Sequence, residues 1–84
     1  MVNTEKQREE IGILVWDNAQ RMRGRMWEKL DGGVAGWNDI ANLSEFKRKA
    51  VQKAMEGDWI DAENYIMMIL YLEQMKQLQE SAVT

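Results

Sequence analysis

Cysteine, histidine and proline are all missing from the 84 residues. Without cysteine no disulfide can staple the chain, and without cysteine or histidine the usual zinc sites have no ligands. The same absences remove Ser–His and Cys–His nucleophilic catalysis. Any metal would have to rest on carboxylates, a ligand set that suits magnesium or manganese. A basic excess is also lacking. Eleven Lys and Arg stand against 14 Asp and Glu, a net charge of −3, which argues against general nucleic-acid binding. Long apolar runs are absent too. The longest, residues 65–72, has eight residues, where a membrane-spanning helix needs about 20. The opening MVNTEKQREE is polar and charged, unlike a secretory signal. The expectation is a soluble, cytoplasmic protein with no membrane partner.

What is present reads as one all-α domain, residues 1–84, of three helices. A chain this short buries only about 60% of its unfolded surface. With no staple available, self-association is the expected source of further stability. The first helix is expected over residues 5–30, with Thr4 as N-cap and Gln7 completing a capping box. Ile11, Val15, Ala19, Met22, Met26 and Leu30 fall on one helical face. A helix of roughly 40 Å is long for so small a domain and is expected to lie along a partner. Gly12 and Gly24, each costing about 1 kcal/mol in a helix interior, suggest close packing or a bend. LDGGVAGWNDIAN forms the loop, with Gly32 or Gly33 as left-handed C-cap residue.

The second helix is expected from Leu43, capped by Asn42 with Glu45 at the third position, and stopped by Gly57. Its inner face would be Leu43, Phe46, Ala50, Val51 and Ala54. Asp58 would cap a third helix running to Glu80, with SAVT fraying behind it. Residues 65–72 make two turns with no polar position, so this helix is expected to be buried on most sides. Met67, Met68 and Tyr71 are expected to face another subunit, completing the bundle as a homo-oligomer.

GGVAG lacks the lysine and hydroxyl residue of a P-loop and reads as a connector. Asp58 and Asp61 are three apart and share a face, and Asn64 continues it. Two such carboxylates can hold a divalent ion if other helices add oxygens. Acids in a helix's first turn also simply cap free amides and suit the macrodipole. Arg21, Arg25 and Lys29 recur every four residues, with Asp17 placed to pair with Arg21. Lys47, Arg48, Lys49 and Lys53 load the second helix. Four tryptophans, Trp16, Trp27, Trp37 and Trp59, accompany them. Arginines beside exposed indoles suit a nucleotide, guanidinium for phosphate and ring for base. The alternative is solvated basic faces and core tryptophans, with Trp37 in the loop the least easily explained as core.

The order RMWEKL, glycine-rich loop, GWNDI, short amphipathic helix, GDWIDAENYIMMI resembles the phage and bacterial MazG-like nucleotide pyrophosphohydrolases, especially the small dATP/dGTP diphosphohydrolase type. The resemblance covers roughly residues 20–75. It implies an all-α fold assembling as dimers or tetramers, with magnesium ions bridging carboxylates and a triphosphate so that water attacks near the α-phosphorus. In that family Glu-Glu-x-x-Glu stands on one helix and Glu-x-x-Asp on the next. Asp61 matches the last aspartate, Asp58 stands where a glutamate is expected, and Asn64 and Tyr65 match the segment that follows. The departure lies in LSEFKRKAVQKAMEGD, where only Glu45 and Glu56 are acidic ahead of Asp58 and bases fill the space between.

A relative that lost hydrolysis and kept nucleotide binding is therefore the leading expectation, holding a nucleotide, a cyclic nucleotide or a nucleotide-derived host signal, with no cofactor. The host cytoplasm would be its location if a phage encodes it. The ligand residues would be Arg21, Arg25, Lys29, Trp37, Asp61, Asn64 and Tyr65. One alternative is a magnesium-dependent dNTP pyrophosphohydrolase using Asp58 and Asp61 with Glu45 or Glu56. Another is a helical protein-interaction module or inhibitor that binds no small molecule.

Overall fold

The third helix is the axis of the molecule. The structure, a computed structural model, describes residues 3–83. It holds α1 (Thr4–Asp31), a 3-10 turn (Ile40–Asn42), α2 (Leu43–Met55) and α3 (Trp59–Val83), with no strand among the described residues. The fold is all-α. Both α2 and α1 pack on α3, whereas among the described residues the backbones of α1 and α2 do not approach each other closely. The turn at Glu56–Asp58 makes α2 and α3 an antiparallel hairpin: Lys47 reaches Glu73 at the open end and Lys53 reaches Asp61 near the turn.

Local chemistry fixes most of the boundaries. α1 starts one residue earlier than the sequence predicts. Asn3, rather than Thr4, caps it, its Oδ1 accepting from the Lys6 N–H at 3.1 Å. At the far end Gly32 closes the helix with φ −79°, and Gly33 takes the left-handed position at φ +88°. Asn42 stands at the start of α2 but makes no side-chain cap there. Its amide instead donates to the Gly36 carbonyl at 2.9 Å, tying the loop to the helix entrance. Asp39 caps the 3-10 turn that precedes α2, accepting from the Ala41 N–H at 3.0 Å. Asp58 caps α3 as predicted, accepting from the Asp61 N–H at 3.2 Å. Helix geometry continues through Ser81 and Ala82 to Val83 rather than fraying after Glu80. Thr84 lies outside the described residues.

The core is small. Leu43, Ala50, Ala62, Met68 and Leu72 are its buried apolar residues, and the only buried polar residues among those described are Asp61 and Asn64. Val51, expected on the inner face of α2, is 62% exposed. α2 is 13 residues long and α3 covers one side of it, so Val51 falls just beyond that seam. The α1 stripe, expected to lie along a partner, is left uncovered by this chain over much of its length. None of α1 is buried, and Ile11, Val15 and Leu30 are all exposed. Neither Gly12 nor Gly24 marks a close approach, since an added Cβ at either would meet nothing within 4 Å. All four tryptophans are exposed rather than core. The molecule is correspondingly extended, with a radius of gyration of 16.2 Å against about 12 Å for a compact chain of this length.

Candidate ligand site

Three cations from two helices converge on one buried carboxylate. Asp61 sits one turn into α3, 5% exposed. Its Oδ1 lies 3.0 Å from Arg25 Nη1 and 3.3 Å from Lys29 Nζ, and its Oδ2 lies 3.9 Å from Lys53 Nζ. The helix period explains the pair from α1, because residues 25 and 29 are four apart on one face. Arg25 Nη1 also reaches both oxygens of Asp58 at 3.4 Å. Lys53 turns outward to Glu56 at 3.5 Å. Asp58 is held below the usual carboxylate range, first by the Asp61 N–H it accepts and then by the Arg25 guanidinium. The hydrogen bond to Asp61 in turn raises Arg25.

Asn64, one turn after Asp61, is 2% exposed. Its amide nitrogen donates to the Met22 carbonyl at 3.1 Å, which pins α1 to α3 and orients the amide, because a carbonyl only accepts. The other end, Oδ1, is buried without a partner among the described residues. Glu63, on the neighbouring side of α3, takes a 2.7 Å bond from Asn18.

Lys29 joins this charged cluster to an aromatic one. Its ammonium lies 5.3 Å from the centre of the Tyr65 ring. It also lines a pocket of about 60 Å³ with Leu30, Trp37, Phe46, Tyr65 and Met68. Tyr65 tilts against Phe46 with ring centres 5.5 Å apart, and Trp37 against Tyr71 at 5.8 Å. The loop that carries Trp37 is set by Gly36, whose φ of +89° suits glycine and whose added Cβ would come within 2.9 Å of Asn42 Nδ2.

Five of the seven residues singled out in the sequence therefore meet in one region, Arg25, Lys29, Trp37, Asp61 and Tyr65, while Asn64 is buried against the Met22 carbonyl. Arg21 is elsewhere. It pairs with Asp17 at 3.0 Å on the open side of α1. Met68, expected on a subunit surface, lies in the chain's own core at 6% exposure, whereas Met67 and Tyr71 are exposed. Sequence reading missed Lys53 as a partner of Asp61 and Phe46 as a pocket wall. The Lys53 signal was readable, since Lys53 and Asp61 flank the α2–α3 turn.

The donor set does not fit a magnesium ion. Asp61 directs its oxygens at three cations, and Asp58 is occupied by a helix N–H and Arg25. Glu45 pairs with Arg48 and Glu56 with Gln52 and Lys53. No group of three or more carboxylates among the described residues could hold a metal ion. Nor is any described helix long and apolar enough to cross a membrane. Comparison with protein-family models, with curated proteins and with solved structures finds no match to this chain.

Proposed function

We propose that this chain is a nucleotide-binding protein that does not hydrolyse its ligand and that works as a homo-oligomer, in the manner of a MazG-like protein whose metal site has been replaced by bases. The observation that carries the reading is Lys29, which belongs at once to the cluster on Asp61 and to the aromatic pocket of Trp37, Phe46 and Tyr65. A nucleotide needs both chemistries side by side, cations for phosphate and a ring for the base. Arg25 makes its contacts to both aspartates through Nη1, which leaves Nε and Nη2 to donate to a phosphate as a fork. Lys29 supplies further donors from the same face. The pocket's 60 Å³ is room for about two waters, so the base is taken by the outward face of Trp37. Without carboxylates to hold an ion and polarise water, the bound phosphate chain is kept rather than cleaved. The biological use is capture of a nucleotide or a nucleotide-derived signal, as in a phage protein that removes a host defence messenger.

Titration calorimetry with a nucleotide panel that includes cyclic dinucleotides tests this. At least one member binds more tightly than millimolar, and Arg25→Lys and Trp37→Ala each weaken it at least tenfold. Absence of sub-millimolar binding across the panel overturns the proposal. Pyrophosphate release that requires magnesium and stops in Asp61→Ala favours the hydrolase reading instead. A second reading, a helical module that binds only protein, is favoured by the exposed apolar run in the first half of α1.

A further inference from the structure

The first half of α1 runs past the rest of the chain with its apolar residues uncovered. Ile11, Ile13, Leu14, Val15 and Trp16 are each 60% exposed or more. Ile11, Leu14 and Val15 continue the face that, one and two turns on, carries Asn18, Met22 and Arg25 onto α3. Beside them an open groove of about 390 Å³ runs between α1 and α3, lined by Asn18, Met22, Glu63, Ile66, Met67 and Leu70. An apolar ridge and an apolar groove thus adjoin on one surface.

We infer that this surface is covered by a second copy of the chain, with the two α1 helices antiparallel and each ridge lying over the other copy's groove. The area fits. The chain exposes 6692 Å², whereas a compact folded monomer of 9.9 kDa exposes about 5,200 Å². The excess, about 1,500 Å², falls in the range each partner hides in an obligate dimer and exceeds the roughly 800 Å² of a standard interface. The shape fits too. A two-fold axis presents the same patch from both sides, so one arrangement covers ridge and groove together. A foreign partner would have to bring both. Charge gives the direction. Glu10 and Arg21 are eleven residues, about three turns, apart on one flank of the ridge. Antiparallel pairing about the midpoint between them, at Val15 and Trp16, sets each Glu10 against the partner's Arg21. The inference rests on the oligomeric half of the proposed function and not on its ligand.

Light scattering and chemical cross-linking test it. The chain runs as a dimer or an even multiple of 9.9 kDa at micromolar concentration. Leu14→Glu, which forces a charge into the interface, raises the dissociation constant at least about 100-fold. Leu78→Glu, exposed at the far end of α3, leaves the mass unchanged and controls for added charge. Because the chain has no cysteine, Val15→Cys cross-links to itself on oxidation, and Met55→Cys, 85% exposed at the end of α2, does not. A monomeric parent, an assembly untouched by Leu14→Glu, or a cross-link at Met55→Cys without one at Val15→Cys overturns the inference. Nucleotide binding can fail while the dimer stands, or survive in a monomer, so the two failures are separable.

Discussion

Replacing Asp61 with asparagine keeps the shape of the side chain and deletes the charge on which three cations converge. Arg25, Lys29 and Lys53 then face one another across a neutral amide, with only Asp58 and Glu56 at the margins. Removing one partner of a fully buried pair costs about 3–5 kcal/mol, because the other charge is stranded. Here the carboxylate is buried but the cations are 37%, 31% and 25% exposed. They regain part of their hydration, which brings the expected loss to about 2 kcal/mol. For a domain of this size that lowers Tm by roughly 8–16 °C, a large part of a total stability of about 4–12 kcal/mol. The assay is thermal unfolding followed by circular dichroism at fixed protein concentration, since assembly would otherwise move Tm. The deficit should shrink in 1 M salt, where the screening length falls to about 3 Å. It should also shrink with inorganic phosphate, which substitutes for the lost carboxylate. A deficit under about 0.5 kcal/mol, or one that salt does not reduce, refutes the reasoning.

Gly24→Ala should stabilise the chain by about 1 kcal/mol and raise Tm, because it improves helix propensity where an added Cβ meets nothing. Gly36→Ala should destabilise it by about 1–3 kcal/mol, since it strains a left-handed backbone and crowds the Asn42 amide; denaturant unfolding measures both. The depressed Asp58 carboxyl gives a third test. A group whose folded pKa lies below its unfolded value of about 3.9 stabilises the fold above that value, and the contribution is lost as pH falls through the folded pKa. Asp58→Asn, which still caps α3, should therefore unfold at lower temperature than the parent near neutral pH and match it in strong acid. A Tm gap that persists unchanged into acid counts against the charge.

The helix pattern was legible because it is written in local chemistry. Asp58, Gly57 and the 3.6-residue spacing of Leu43, Phe46 and Ala50 each act within a turn or two. What escaped depends on the distance between elements. The α1 stripe of Ile11, Val15, Ala19, Met22, Met26 and Leu30 is legible as an apolar face, yet period says only that a face is apolar, not which of its residues this chain covers. Likewise the eight apolar residues of α3 divide into Met68 and Leu72 inside and Ile66 and Leu70 outside. No spacing rule separates them, since the division depends on where α2 ends and α1 crosses. Asn42 had the right type for a cap, but a loop carbonyl six residues back competed for its amide.

The site shows the same limit in electrostatic form. Asp58 and Asp61 at three-residue spacing read as metal ligands or as the acidic first turn of a helix, and nothing on α3 distinguishes the two. The distinction comes from α1 and α2, which bring Arg25, Lys29 and Lys53 to the one aspartate that lies buried. A buried carboxylate is costly unless it is paired, so the burial of Asp61 and the approach of three cations explain each other. One residue then does two jobs. Lys29 neutralises Asp61 and also walls the aromatic pocket, so a ligand anion that drew it away would have to leave Arg25 and Lys53 to hold the carboxylate. On the proposed nucleotide-binding reading, ligand affinity and fold stability are coupled through Lys29: a substitution there should alter both together, whereas one at Trp37 should weaken binding with little change in unfolding.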